Sequence, residues 1–411
     1  VRILVVSTYF PPQSSVGSLR PHSWAKRWSQ LGHDVTVLTT TKEERAEVAL
    51  NLDCSTFELI EVAPPWLYKK ASRRYRSSSG GSGRGSTWKS LLNIRSRLGI
   101  CNSCRMPDLI DGWVRPASRA APGPWDLVVS TAGPYACHLV AERLEKRRWI
   151  ADYRDLWVDS ELFPGLWPFT WIERAVERRL MKKADRITTV SQPLADKLAS
   201  RYGSPRVAVV ENGFDPDDLG DLDPAPIFAA DGRYRLLYTG MIYKGKRDPS
   251  PLFKAIRQLR GSPLLDRLEV LFVGHLLADL REQIEQYGVE KWVRILPLAS
   301  RAECLRMQRD ASALLFLEHS QSGALTGKLF EYLFASRPIW AIGVGPDHVA
   351  SQLIEEARAG AILGQDVGQI AAHLERSLSE KLPFQPDTDV IDRFSRSKLA
   401  DRMLDTVSTL L

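Results

Sequence analysis

Short unbroken apolar runs alternate along this chain with stretches of helical period. Residues 2–6 (RILVV) form the first run, suited to a central strand of a parallel sheet covered on both faces. A loop from Ser7 to Ser18 follows, carrying Pro11, Pro12 and Gly17. A helix is predicted from about Leu19 to Leu31, with Gly32 as its C-terminal cap, before VTVLTT gives a second strand. This βαβ unit places a small-residue loop at the C-terminal end of its first strand, where open α/β sheets bind ligands. The loop has no GxGxxG, which argues against hydride transfer from a dinucleotide. WDLVVS (125–130) is the next buried run and leads into Thr131-Ala132-Gly133-Pro134 and a helix containing His138. The run Trp149–Tyr153 ends in the polar cluster Asp152, Arg154, Asp155 and Trp157. Such a cluster is either a set of substrate-facing groups at a strand end or a structural Arg–Asp network. A helix from about Trp171 to Ala184, then ADRITTVS and VAVVENG, complete the series, and Asn212-Gly213 is a closing turn.

The pattern then starts again. Residues 214–232 are rich in Asp and Pro and read as a linker, so the Asp215-x-Asp217 within them is not expected to bind metal. YRLLYT (234–239), LEVLFVG (268–274), VRILP (293–297) and SALLFLE (312–318) are further strands. Gly240 follows the first of them directly, with Lys244, Lys246 and Arg247 in the same loop. After the last comes a small-residue loop, a helix from Lys328 to about Ala335, a stop at Arg337-Pro338 and the strand Ile339–Ile342. A cation in a first helical turn, as Lys328 is, is unfavourable unless an anion binds there. Glu331 lies one turn on, on the same face. Gly240, Gly327, Lys328 and Glu331 could hold a diphosphate and ribose hydroxyls; an ordinary surface Lys–Glu pair is the other reading. A mixed-periodicity helix, Phe394–Leu411, ends the sequence.

Composition narrows this picture. The 411 residues allow two domains of ordinary size, and no apolar run approaches the roughly 18 residues of a membrane span. The N-terminal run does not read as a signal peptide, so a cytoplasmic protein is expected, possible also at the inner membrane face. The net charge of +7 favours anionic partners without choosing among them. Residues 66–119 concentrate Arg, Lys, Ser and Gly with interleaved Trp and Tyr. They read either as a contact with an anionic membrane or phosphorylated acceptor, or as a solvated basic insertion. No nucleic-acid-binding module is recognisable. Cys101 and Cys104 form a lone CxxC with no second pair at zinc spacing.

Taken together, STYFPPQSSVGSLRPHSWAKRWSQLGHDVTVLT near the start, DYRDLW (152–157), ITTVSQPLADKL (187–198), VENGFD (210–215) and GKLFEYLFASRPI (327–339) resemble the retaining enzymes of glycosyltransferase family 4. The resemblance runs nearly end to end. It implies a GT-B α/β fold: two Rossmann-like parallel-sheet domains facing a cleft, an acceptor-side domain at 1–213, a linker at 214–232, a donor-side domain at 233–390, and a C-terminal helix (391–411) crossing back to the first domain. It implies a nucleotide-diphosphate sugar as co-substrate, a hydroxyl acceptor of the bacterial surface polysaccharide or glycolipid kind, and no bound metal or other cofactor. Gly17 would face the sugar and diphosphate. Lys328 with Lys244, Lys246 or Arg247 would hold the diphosphate. Glu331 matches the second Glu of the family's E-x7-E motif, and Asp152, Arg154, Asp155 and His138 would lie on the acceptor side. The first Glu of that motif is replaced by Gly323, which keeps open the reading of a GT-B protein that no longer transfers sugar and serves as a partner subunit.

Overall fold

The computed structural model describes the chain except residues 14, 43–49, 69–94, 96, 102–103, 161–162, 221, 243–246, 275–277, 319–322 and 409–411. Two compact units result: Val1–Glu211 with Arg396–Leu411, and Asn212–Ser395. In the first, β1 (Arg2–Val6), β2 (Asp34–Thr40), β3 (Glu58–Val62), β4 (Trp125–Thr131), β5 (Lys146–Tyr153), β6 (Arg186–Thr189) and β7 (Val207–Val209) form a parallel sheet ordered β3-β2-β1-β4-β5-β6-β7. The apolar run of β1 sits centrally, Val5 pairing with Val37 on one side and Val129 on the other. Ile3 to Val6 are fully buried, as a strand covered by helices on both faces must be. Strand order reverses between β1 and β4.

The helix after β1 begins at Val16, earlier than its apolar period suggests, because Ser15 caps it and accepts the Gly17 N–H at 3.2 Å. It stacks Trp24 on Trp28 and meets the C-terminal helix Arg396–Ser408, which completes the core of this unit with Leu399, Ala400, Met403 and Val407. Trp28 Nε1 donates to Ala400 O at 2.9 Å, and Arg27 pairs with Asp401 at 2.8 Å. The return of this helix to the first unit agrees with the resemblance.

The second unit holds β8 (Tyr234–Thr239), β9 (Leu268–Val273), β10 (Val293–Leu296), β11 (Ala313–Leu317), β12 (Ile339–Ile342) and β13 (Gly360–Gly364), all parallel, in the order β10-β9-β8-β11-β12-β13. Its order reverses between β8 and β11. The edge strands β3 and β13 were not expected from the pattern. In β3 the run ELIEV is largely exposed and charged, as suits an edge.

Candidate functional site

The switch point of the second unit gathers most of the expected donor-side residues that can be described. Gly240 ends β8 with φ +126°, a left-handed conformation glycine adopts freely. A Cβ there would collide with Lys328 Nζ. Lys328 reaches this point from the first turn of the helix Gly327–Ala335, which is fixed by its own underside. The Tyr332 hydroxyl accepts the Thr239 N–H at 3.0 Å, and Gln308 Nε2 donates to Thr239 Oγ1 at 2.9 Å. The helix entrance carries no acidic residue, and Thr326, its N-cap, makes no side-chain cap bond. Neither a first-turn carboxylate nor the N-cap side chain therefore compensates its N-terminal dipole.

Lys328 Nζ is buried with no hydrogen-bond partner among the described residues, and lies 3.9 Å from the centre of the Tyr238 ring. Burial, then the Arg247 guanidinium nearby, hold its pKa well below the usual lysine value. Arg247 pairs with Glu318, at the end of β11, at 3.2 Å and donates to Met241 O at 3.3 Å. An ammonium in this state is a strong site for an anion, since bound anionic oxygens would supply the missing acceptors.

Glu331 is placed differently from the expectation. It forms an ion pair with Arg301, whose other nitrogen reaches Asp218 at 2.6 Å. Arg301 stands in the first turn of the helix Arg301–Asp310, at the wrong pole of the dipole, and two carboxylates compensate it there. Neither Arg301 nor Asp218 was singled out from the sequence; a first-turn arginine was the only local signal. One oxygen of Glu331 makes no hydrogen bond among the described residues, so the carboxylate retains an acceptor while held by Arg301. Asp215 accepts the Asp217 N–H at 3.2 Å in an ordinary turn.

The first unit brings Gly17 and Arg154 together at its own switch point and separates the rest. Arg154 donates to Ala132 O at 2.9 Å and Gly133 O at 3.2 Å, lies over the Tyr9 ring, and presents Nη1 against Gly17, where a Cβ would not fit. Asp155 is exposed. Asp152 and His138 require correction, because neither can reach an acceptor: both are fully buried. Asp152 binds Arg20 through both oxygens (2.8 and 3.2 Å), Thr131 at 2.8 Å and Thr188 at 2.9 Å. Arg20 goes on to Val210 O at 2.8 Å, so this buried pair ties β5 to the end of the unit. His138 Nδ1 sits 2.8 Å from Ser130 Oγ, which also accepts the Trp149 indole N–H. Burial pushes its pKa down to about 4, leaving a neutral core imidazole.

Lys244, Lys246 and most of the basic 66–119 segment lie outside the described residues. Cys101 and Cys104 are free thiols; burial raises both, Cys104 to about 12, which keeps them protonated at neutral pH. No described helix is long and apolar enough to cross a membrane.

Residues 101–218 match the family model described as Glycosyltransferase Family 4. No curated protein matches the chain. Among solved structures it is similar to sucrose-phosphate synthase from Thermosynechococcus elongatus (13% identity, 99% and 98% of the two chains covered, TM-score 0.63). It is likewise similar to Anabaena HepE in complex with UDP and glucose (13%, 99% of each chain, TM-score 0.60). A third similar structure is the lipopolysaccharide outer core galactosyltransferase WaaB (12%, 100% of each chain, TM-score 0.57). At these identities the structures speak for the fold, which is GT-B, and residues 101–218 are the part of the chain that is similar to glycosyltransferase family 4.

Proposed function

We propose that the protein transfers a sugar, with retention of configuration, from a nucleotide-diphosphate sugar to a hydroxyl acceptor. In this reading the diphosphate is held at the entrance of the helix Gly327–Ala335. The observation that carries it is the buried Nζ of Lys328, without a hydrogen-bond partner among the described residues, beside Gly240 at a helix N-terminus whose N-cap Thr326 makes no side-chain cap bond. Lys328 and Arg247 would neutralise charge developing on the leaving diphosphate, and the helix dipole adds to this without rearrangement during the reaction. The acceptor hydroxyl attacks the anomeric carbon from the face the diphosphate leaves, and a diphosphate oxygen takes its proton. The chain's work is then positioning and charge stabilisation, with no protein nucleophile. Glu331, oriented by Arg301, offers its unused oxygen to ribose hydroxyls. Arg154, with Gly17 beside it, is assigned to the acceptor side. The DYRDLW segment supports an acceptor of the surface polysaccharide or glycolipid kind, made at the inner membrane face.

Thermal stabilisation by UDP, GDP, dTDP and ADP and by their sugar conjugates tests this reading, because a ligand that binds only the folded state raises its apparent stability. UDP and UDP-glucose, the ligands named for the HepE structures, are the first to try. A selective shift followed by release of the matching nucleotide on adding acceptor is the expected result. No shift with any of them would favour the partner-subunit reading, with Gly323 as its cause.

A further inference from the structure

The helix Phe169–Lys183 is divided lengthwise by its chemistry. Its inner side carries Glu173, Glu177, Leu180 and Met181. Both carboxylates are consumed internally: Glu173 by Arg105 at 2.7 Å and the Trp157 indole N–H at 3.1 Å, Glu177 by the Tyr202 hydroxyl at 2.7 Å. The outer side repeats at steps of three and four residues. One exposed row is Trp171, Arg174, Arg178 and Lys182; Ile172, Arg179 and Lys183 run beside it. This face has five cations and no carboxylate of its own. Arg179 and Lys183 share Glu142, at 2.9 and 2.8 Å, while Arg174, Arg178 and Lys182 have no ion pair among the described residues.

The helix dipole accounts for Lys182 and Lys183 in the last turn but not for Arg174, and folding alone gives no reason for the other end. There Trp167, Trp171 and Ile172 remain 75%, 70% and 49% exposed, three large apolar side chains within six residues. Just before them the Gly165 N–H donates to Leu98 O at 3.1 Å, next to the exposed Arg97.

We propose that this face docks the protein on an anionic lipid surface. Trp167, Trp171 and Ile172 enter the headgroup region and the basic row lies over lipid phosphates. Charge complementarity selects an anionic partner. The aliphatic Ile172 and the aromatics at one end suit a partner with an apolar layer beneath its charges, whereas a single-stranded nucleic acid would offer Ile172 nothing to stack on. The proposal does not depend on the diphosphate reading.

The test is co-sedimentation of the full chain with phosphatidylcholine vesicles, with and without about one third phosphatidylglycerol. The wild type should partition onto the anionic vesicles only. W167S/W171S and R174Q/R178Q/K182Q should each weaken that partitioning by about tenfold or more, with melting temperature and UDP-induced stabilisation unchanged. Any of three results overturns it: no wild-type binding to anionic vesicles, equal binding by both variants, or a wild-type dimer that the tryptophan variant dissociates. The last would make this face a contact between copies of the chain.

Discussion

Replacing Lys328 by Met keeps the length and apolar stem of the side chain while removing its charge. If Nζ meets the donor's diphosphate, the loss is one charge-assisted contact, about 1.5–3 kcal/mol, or roughly 10- to 150-fold in affinity for UDP. Stability should move the other way. In the folded chain the Lys328 pKa is depressed by burial and by Arg247, while in the unfolded chain it returns to about 10.4. Between those two values the unfolded state binds a proton that the folded state lacks. Wild-type stability therefore rises with pH across that window, and the penalty is gone above it. K328M has no such penalty. It should melt at or above the wild-type temperature at pH 7, and the difference should shrink as pH approaches about 10. A bound diphosphate favours the charged form of Lys328, so the wild-type affinity for UDP should weaken as pH rises above the depressed Lys328 pKa, and the K328M affinity should not. Equal UDP affinity in the two proteins would refute the assignment. So would a K328M melting temperature several degrees below wild type, which would make the lysine a structural group.

Asp152→Ala leaves Arg20 buried and unpaired, so it should destabilise by about 3–5 kcal/mol in urea unfolding while the UDP affinity of the protein that remains folded is unchanged. Gly240→Ala sets a methyl where Lys328 Nζ lies and imposes a side chain at φ +126°; UDP-induced stabilisation should fall by at least half, with β8 still formed by circular dichroism. Arg301→Ala removes the group holding Glu331 and Asp218, all three partly exposed, and should cost about 1–3 kcal/mol. Its nucleoside diphosphate affinity should drop more than its affinity for inorganic pyrophosphate, measured by competition, because Glu331 is assigned to the ribose.

The central strands could be read directly because both faces of β1, β9 and β11 are covered, so burial is written as a run of four or five consecutive apolar residues. β3 escaped because Glu58 and Glu61 interrupt it, and β13 because two glycines bound only three apolar residues. Lys328 stood out because it opposes the helix dipole, a local rule that tertiary structure must answer. Tyr332, which fixes that helix against Thr239, carried no such mark, since a tyrosine on an apolar helix face looks like core until its partner is known. Asp152 and His138 were misplaced for a related reason. A polar residue at a strand end can face a ligand or a buried partner, and only the positions of Arg20 and Ser130 decide between them.

The helix Arg396–Ser408 has a consequence for biosynthesis. Residues 212–395 separate it from the rest of the unit whose core it completes. At about 5–20 residues per second, the ribosome needs roughly ten to forty seconds to make that interval. Throughout, Trp28 lacks the Ala400 carbonyl and the apolar side chains that cover it in the finished protein. The nascent first unit thus leaves that apolar face uncovered until residues 396–408 emerge. A ribosome stalled late in the message, or a nonsense codon past residue 395, would release a chain with an intact second unit and an open first one.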